Sequence, residues 1–166
     1  MGFVISDWKT MQIIRVQLKN EGKIVVFTNG CFDLVHRGHV SFLTRARALG
    51  DVLIVGLNSD SSMARIKGKT RPLVNFIDRS AILSAFSAVD FVVPFDQKTP
   101  IEIISALVPD ILVKGSDWEI NNIVGREVVE RAGGKVVRIP LIQGHSTTDL
   151  IQRVIERFSV KNKVKV

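Results

Sequence analysis

Cysteine is almost missing from this chain of 166 residues: Cys31 stands alone. A lone cysteine excludes an intramolecular disulfide framework and a cysteine-based zinc site. No apolar run approaches the roughly 18 residues that a membrane span needs. The opening segment, MGFVISDWKTMQ, carries an acidic residue early and no long apolar stretch, so it does not read as a secretory signal. A cytoplasmic location is the expectation that follows. Aromatic residues make up 7% of the chain and no basic face is interleaved with them. That argues against a nucleic-acid-binding module. Repeats of fixed period, low-complexity stretches and an interdomain linker are also lacking, and the length suits one domain with a single core.

Two common nucleotide signatures are absent as well. GKT occurs at 68–70, but a P-loop needs glycine five residues before Gly68, and Met63 stands there. No G-x-G-x-x-G follows the first apolar strand, so a dinucleotide fingerprint is missing too. Any nucleotide site has to be built another way.

What is present is a folded, basic chain. Hydrophobic residues are 46% and charged residues 23%, which excludes wholesale disorder. The net charge is +7, from 23 Lys+Arg against 16 Asp+Glu. Lys161, Lys163 and Lys165 sit in the tail SVKNKVKV, and without them the balance falls to +4. A basic surplus favours anionic partners such as nucleotides and sugar phosphates. The tail itself reads as a solvated, frayed end.

Helical and extended patterns alternate along the chain. DWKTMQIIRVQLKNEG reads as an amphipathic helix capped by Asp7 and stopped by Gly22. KIVVFT, DVLIVGLN, DFVVPF, DILVKG and KVVRIPL are short β-branched runs of the kind that form buried parallel strands. Helices follow at GHVSFLTRARALG, FIDRSAILSAFSAV, TPIEIISALVP with Thr99 as cap, IVGREVVERAGG and STTDLIQRVIERF with Ser146 or Thr147 as cap. SDSSMARIKGKTRPLVN reads mostly as loop. The expected fold is therefore α/β: a doubly wound, Rossmann-like parallel sheet of five strands flanked by helices. The divisions are an N-terminal helix at 1–22, a core at 23–158 and a basic tail at 159–166. Trp8, Met11 and Ile14 on the first helix can pack on their own sheet or on a second subunit, which leaves room for a homodimer.

Ligands on such sheets bind beyond the carboxyl ends of the strands. TNGCFDLVHRGH, NSDSSMARIKGKTR and KGSDW leave those ends, and IQGHSTTD leads into the last helix. His36 and His39 flank a helix start at Gly38, where free N–H groups and the positive dipole end favour an anion over a cation. That setting weighs against a three-histidine metal site made with His145. It also suits a phosphate gaining charge in a transition state. Gly38 permits close approach to the backbone. Cys31 reads as a small residue in a tight turn and not as a nucleophile. KGKTR offers Lys67, Lys69 and Arg71 for a polyphosphate. GHSTTD offers hydroxyls and N–H groups at a second helix start.

These segments resemble the HxGH nucleotidyltransferase superfamily. TNGCFDLVHRGH is similar to its first signature and GHSTTDLI to its second, and the match runs from about 23 to 157. The order FTNGCFDLVHRGHVSFL, LNSD, KGKTRP, LVKGSDW, STTDLI more closely resembles the heptose 1-phosphate adenylyltransferases. In many bacteria these form one half of a bifunctional protein with a sugar kinase, and a chain of this length matches a stand-alone form supplied by a separate heptose kinase.

The resemblance implies in-line transfer of AMP from ATP to a sugar 1-phosphate, with Mg²⁺ arriving on ATP and no resident metal. His36, His39 and Lys67 take the catalytic roles. Thr28, Asn29, Gly30, Cys31, Phe32, Gly38, Lys69, Arg79, Gly115, Asp117, Trp118, Ser146, Thr147 and Thr148 hold the nucleotide. Asp33, Asn58, Asp60 and Arg71 fall on the sugar-phosphate side. A cytidylyltransferase, or an adenylyltransferase with another acceptor such as glycerol 3-phosphate or a flavin phosphate, is the alternative. Ser41 and PLIQG stand where the glycerol phosphate and choline phosphate enzymes carry a lysine and an arginine, which argues against that type.

Overall fold

The computed structural model describes residues 1–159; the basic tail expected at 159–166 lies outside the described residues from position 160 on. The strands are β1 (Phe3–Val4), β2 (Val25–Gly30), β3 (Val52–Asn58), β4 (Phe91–Phe95), β5 (Ile111–Gly115) and β6 (Lys135–Ile139). The α-helices are α1 (Trp8–Asn20), α2 (Arg37–Arg47), α3 (Asp60–Lys67), α4 (Phe76–Ser84), α5 (Ile101–Leu107), α6 (Arg126–Arg131) and α7 (Thr147–Ser159). All strand pairs are parallel, in the order β1-β4-β3-β2-β5-β6. From β2 the chain winds outward through β3 to β4. It then crosses back to lay β5 on the other side of β2. The sheet's switch point therefore lies between β2 and β5, whose neighbours in register are Val26 with Ile111 and Phe27 with Leu112.

The sheet has six strands, not five. The additional strand is β1, where Phe3 pairs with Phe91 and Val4 with Val92 at the sheet's edge. Both residues are exposed, so no alternating or buried pattern marks them. The segment expected as loop after β3 forms α3, an eight-residue helix whose first turn is held by the Ser59 side chain accepting from the Ser62 N–H. α5 begins at Ile101, one turn position later than a Thr99 cap implies, and Pro100 occupies the cap.

Side-chain alternation along the strands builds a core on each face. Val25, Phe27, Ile54 and Leu112 point to one side, where Met11, Ile103, Ile104 and Val129 cover them. Val26, Leu53, Val55 and Val113 point to the other, covered by Leu43, Ala46 and Leu83. Every residue of β3 is buried, as a central parallel strand demands. A Cβ at Gly56 would stand 2.7 Å from the Phe27 ring, so glycine there makes room for that ring. The apolar face of α1 packs on its own sheet: Met11 is fully buried, and Trp8 and Ile14 pack beside it. Arg15 locks the same helix by donating to the carbonyls of Leu107 and Val108 and to Asp110, whose other oxygen accepts from the Val25 N–H.

Candidate active site

The turn between β2 and α2 is shaped by groups that fill their own hydrogen bonds. Thr28 is buried, and its hydroxyl donates to the Val113 carbonyl across the switch point at 3.0 Å. Phe32 sits at φ +45°, in the left-handed region. A Cβ on Gly30 would come within 3.0 Å of the Phe32 ring, so glycine at 30 lets the turn close. Asp33 is buried; its carboxylate accepts from the Leu73 and Val74 N–H groups at 2.9 Å each and pairs with Arg71. That arrangement ties the loop after α3 to the β2–α2 turn.

His36 holds the N-cap position of α2 and His39 its first turn. Their rings stack with centroids 3.9 Å apart and 23° between planes. Phe32 packs against His39 with centroids 5.1 Å apart. Burial pushes the His39 imidazole down to about 4, helped by the neighbouring His36. Burial, then His145, lowers His36 as well. Both rings are therefore neutral at pH 7 in the free protein. Each Nδ1 is buried without a hydrogen-bond partner, so the tautomer with its proton on Nε2 leaves no buried donor unpaired. Negative charge arriving beside the pair would raise both pKa values and draw protons onto the rings. The N–H groups of the first α2 turn add a positive dipole end.

Gly38 has a tighter role than backbone approach by a ligand. A Cβ there would lie 2.9 Å from the His36 ring and 3.2 Å from the His145 carbonyl. Gly38→Ala is expected to displace the His36 ring and lower kcat at least tenfold while the melting temperature moves little. Steady-state turnover measured beside a thermal melt checks this, and an alanine variant with unchanged kcat would contradict the steric reading.

A cavity of about 960 Å³ opens over these rings, beyond the carboxyl ends of the strands. Thr28, Asn29, Gly30, Cys31, Phe32, Asp33, His36, Gly38 and His39 form one wall. Asn58, Lys67 and Arg71 reach it from the β3 side, and Gly115, Asp117 and Trp118 from β5. Ser146, Thr147 and Thr148 close it at the start of α7. There the Ser146 hydroxyl accepts from the Asp149 N–H at 3.0 Å, and the Thr147 hydroxyl donates to the Leu34 carbonyl at 3.3 Å. Four segments distant in sequence thus meet at one cavity.

Three residues named from the sequence do not line it: Asp60, Lys69 and Arg79. Arg79 is fully buried behind the wall. It donates to the carbonyls of Val74, Cys31 and Asn58 and to the Asp60 carboxylate. Asp60 also accepts from the Phe76 N–H. Both act by holding the β2–α2 and β3–α3 turns in place. Lys69 is exposed beyond the end of α3. Arg138 is spent on the Trp118 carbonyl at 3.2 Å.

Other cavity residues escaped the sequence reading. Lys98 and Thr99 come from the exit of β4, Phe42 from α2, and Leu141 and Ile142 from the exit of β6. The β4 exit, DQKTP, also leaves the carboxyl end of a strand, so the general rule for parallel sheets carried the signal. Lys114, near the end of β5 in the KGSDW segment, lines the cavity too.

The sequence profile of the cytidylyltransferase-like family matches residues 27–153. The chain belongs to that family. As a cytidylyltransferase-like domain it carries the nucleotidyltransferase signature on the wall where the two histidines stack. It is 53% identical over 140 residues to the bifunctional protein HldE of Syntrophotalea carbinolica, covering 84% of this chain and 29% of that protein. The bifunctional protein HldE of Pelobacter propionicus is 52% identical over 157 residues, with 93% of this chain and 32% of that protein covered. The chain thus spans about a third of the length of these relatives. Among solved structures, the lipopolysaccharide core biosynthesis protein of Thermoplasma volcanium GSS1 superposes with a TM-score of 0.61 at 27% identity, over 75% of this chain and all of that one. The pantoate-beta-alanine ligase of Francisella tularensis shares the fold alone, with a TM-score of 0.62 at 15% identity over 96% of this chain and 79% of that one.

Proposed function

We propose that this domain transfers AMP from ATP to D-glycero-β-D-manno-heptose 1-phosphate, releasing ADP-heptose and pyrophosphate. The observation that carries the reading is the identity of about half to HldE proteins over most of the chain, joined to a cavity that gathers every segment of the adenylyltransferase-like order. A sugar 1-phosphate oxygen attacks the α-phosphorus of ATP, the new P–O bond forms as the bond to the departing pyrophosphate breaks in line with it, and no side chain is adenylylated. Such a step needs positioning and charge stabilisation more than a nucleophilic residue. His36 and His39 donate from Nε2 to oxygens gaining charge at the α-phosphate. Lys67 neutralises phosphate charge from the α3 side, and the α7 start offers hydroxyls and N–H groups to the phosphate chain. Trp118 is half-exposed on the opposite wall and provides a flat surface for the base.

The carboxylates facing the cavity are Asp33, already committed to Arg71 and two N–H groups, and Asp117. No group of three or more His, Cys, Asp or Glu suited to a metal occurs among the described residues. Mg²⁺ would accordingly come held by the triphosphate's own oxygens, where it offsets charge. Pyrophosphate release from the purified chain, over a panel of ATP and CTP against heptose 1-phosphate, glycerol 3-phosphate and flavin phosphate, tests the assignment. ATP with heptose 1-phosphate should be fastest; CTP with glycerol 3-phosphate outpacing it would overturn the reading.

A further inference from the structure

That mechanism leaves several charged groups of the cavity unused, Lys114 among them. Lys114 is the penultimate residue of β5, beside β2, at the switch point of the sheet. It is 9% exposed, the most buried cation that lines the cavity. Arg71 is committed to Asp33 and Arg65 to Asp96, but Lys114 forms no ion pair among the described residues. Its ammonium donates to the Asn29 side-chain carbonyl and, at a long 3.5 Å, to the Asn29 main-chain carbonyl. An ammonium has three N–H donors, so at least one remains. The Trp118 ring lies 5.9 Å away. A buried charge whose hydrogen-bond partners are all neutral is costly unless a counter-charge comes into contact with it.

We propose that Lys114, oriented by Asn29, is a further binding residue of this site, donating its remaining N–H to a phosphate oxygen of the bound substrate. The inference rests on the nucleotidyltransferase reading for its ligand, which is a phosphate of either ATP or the acceptor. Asn29 acts through Lys114 as its positioning residue. The two residues lie on the strands that flank the switch point, where parallel sheets receive their ligands.

The electrostatics around the group supply a readout. Burial lowers Lys114 to about 8, against the opposing pull of Asp117 and Cys31. Lys114 is thus charged below about pH 8 in the free protein and loses its proton above it. Binding that depends on this ammonium must weaken as pH rises through that value. Both histidines lie below that value, and burial pushes the Cys31 thiol upward, away from it. The last proton of a phosphate ester leaves near pH 6, so ATP and heptose 1-phosphate do not titrate in the window; inorganic pyrophosphate does, and it serves as a probe at fixed pH only.

Calorimetric titration of the whole chain with ATP and with heptose 1-phosphate, each from pH 7.5 to 9.5, and with inorganic pyrophosphate at pH 7.5, tests the proposal. In the wild type the affinity for ATP or for heptose 1-phosphate should fall several-fold across that range. Lys114→Met, which keeps the volume and removes the charge, should lose tenfold or more for the same probe and show no fall with pH. Lys114→Arg should retain the affinity and also lack the fall. Lys114→Met should melt no lower than wild type, whereas a merely structural lysine would lower the melting temperature and leave affinity alone. Lys114→Met binding all three probes within twofold of wild type, or keeping the pH dependence, overturns the inference, as does a wild type that binds none of them. If pyrophosphate binding depends on Lys114 while heptose 1-phosphate neither binds nor reacts, the lysine stands and the acceptor assignment falls.

Discussion

Replacing His36 or His39 by alanine should slow pyrophosphate release by at least 10²–10³-fold, on the order of 2.7–4 kcal/mol of lost transition-state stabilisation. The loss should fall mainly on kcat. In the free protein both rings are neutral and held by stacking, so they meet the ground-state phosphates with modest force. As charge grows on the α-phosphate oxygens, the same N–H groups strengthen and the rings gain affinity for a proton. The rings stack at 3.9 Å and serve the same charge, so the double variant should lose much less than the product of the single losses. His36 is half-buried at the helix start, and its removal should leave the melting temperature within a few degrees. His39 also packs on Phe32, and its removal should cost somewhat more stability. Steady-state kinetics of the three variants, with melts alongside, measure all of this. Near-normal turnover by either single variant would remove the central chemical claim.

The parallel strands were legible because a strand buried on both faces leaves a run of β-branched residues, and VVFT, VLIVGLN and ILVKG are such runs. The edge strand Phe3–Val4 was not, because two exposed residues carry no period. α3 was hidden by its composition: Ser59, Ser61 and Ser62 read as loop, yet Ser59 caps the helix and Ser62 is buried against Asn58. The segments that line the candidate cavity were legible where chemistry and position coincide, at the ends of β2 and β5 and at the start of α7. The family resemblance puts Arg79, Asp60 and Lys69 on the ligand side, and none of the three lines the cavity. Nothing in a basic residue's identity tells whether phosphates or backbone carbonyls will receive its N–H groups. That depends on which turns the fold brings together. Gly38 shows the same limit from the other side: its need follows from the His36 ring that lies over it.

Arg79→Ala should destabilise the protein by about 3–5 kcal/mol, mostly through the buried carbonyls it leaves unpaired. The guanidinium is wholly buried and spends its donors on three carbonyls and the Asp60 carboxylate. Alanine leaves Cys31, Asn58 and Val74 with unpaired carbonyl groups, each a loss of about 1–3 kcal/mol where water cannot follow. Asp60 is partly exposed and recovers solvation, so its share is smaller. For a chain of this size the melting temperature should drop by roughly 6–20 °C. Arg79→Lys should recover only part, because one ammonium cannot span acceptors on three turns. A cation that contacts phosphate would behave in the opposite way, keeping the melting temperature and raising the KM for ATP. The two outcomes separate in a single pair of measurements, and an alanine variant as stable as wild type would return Arg79 to the ligand.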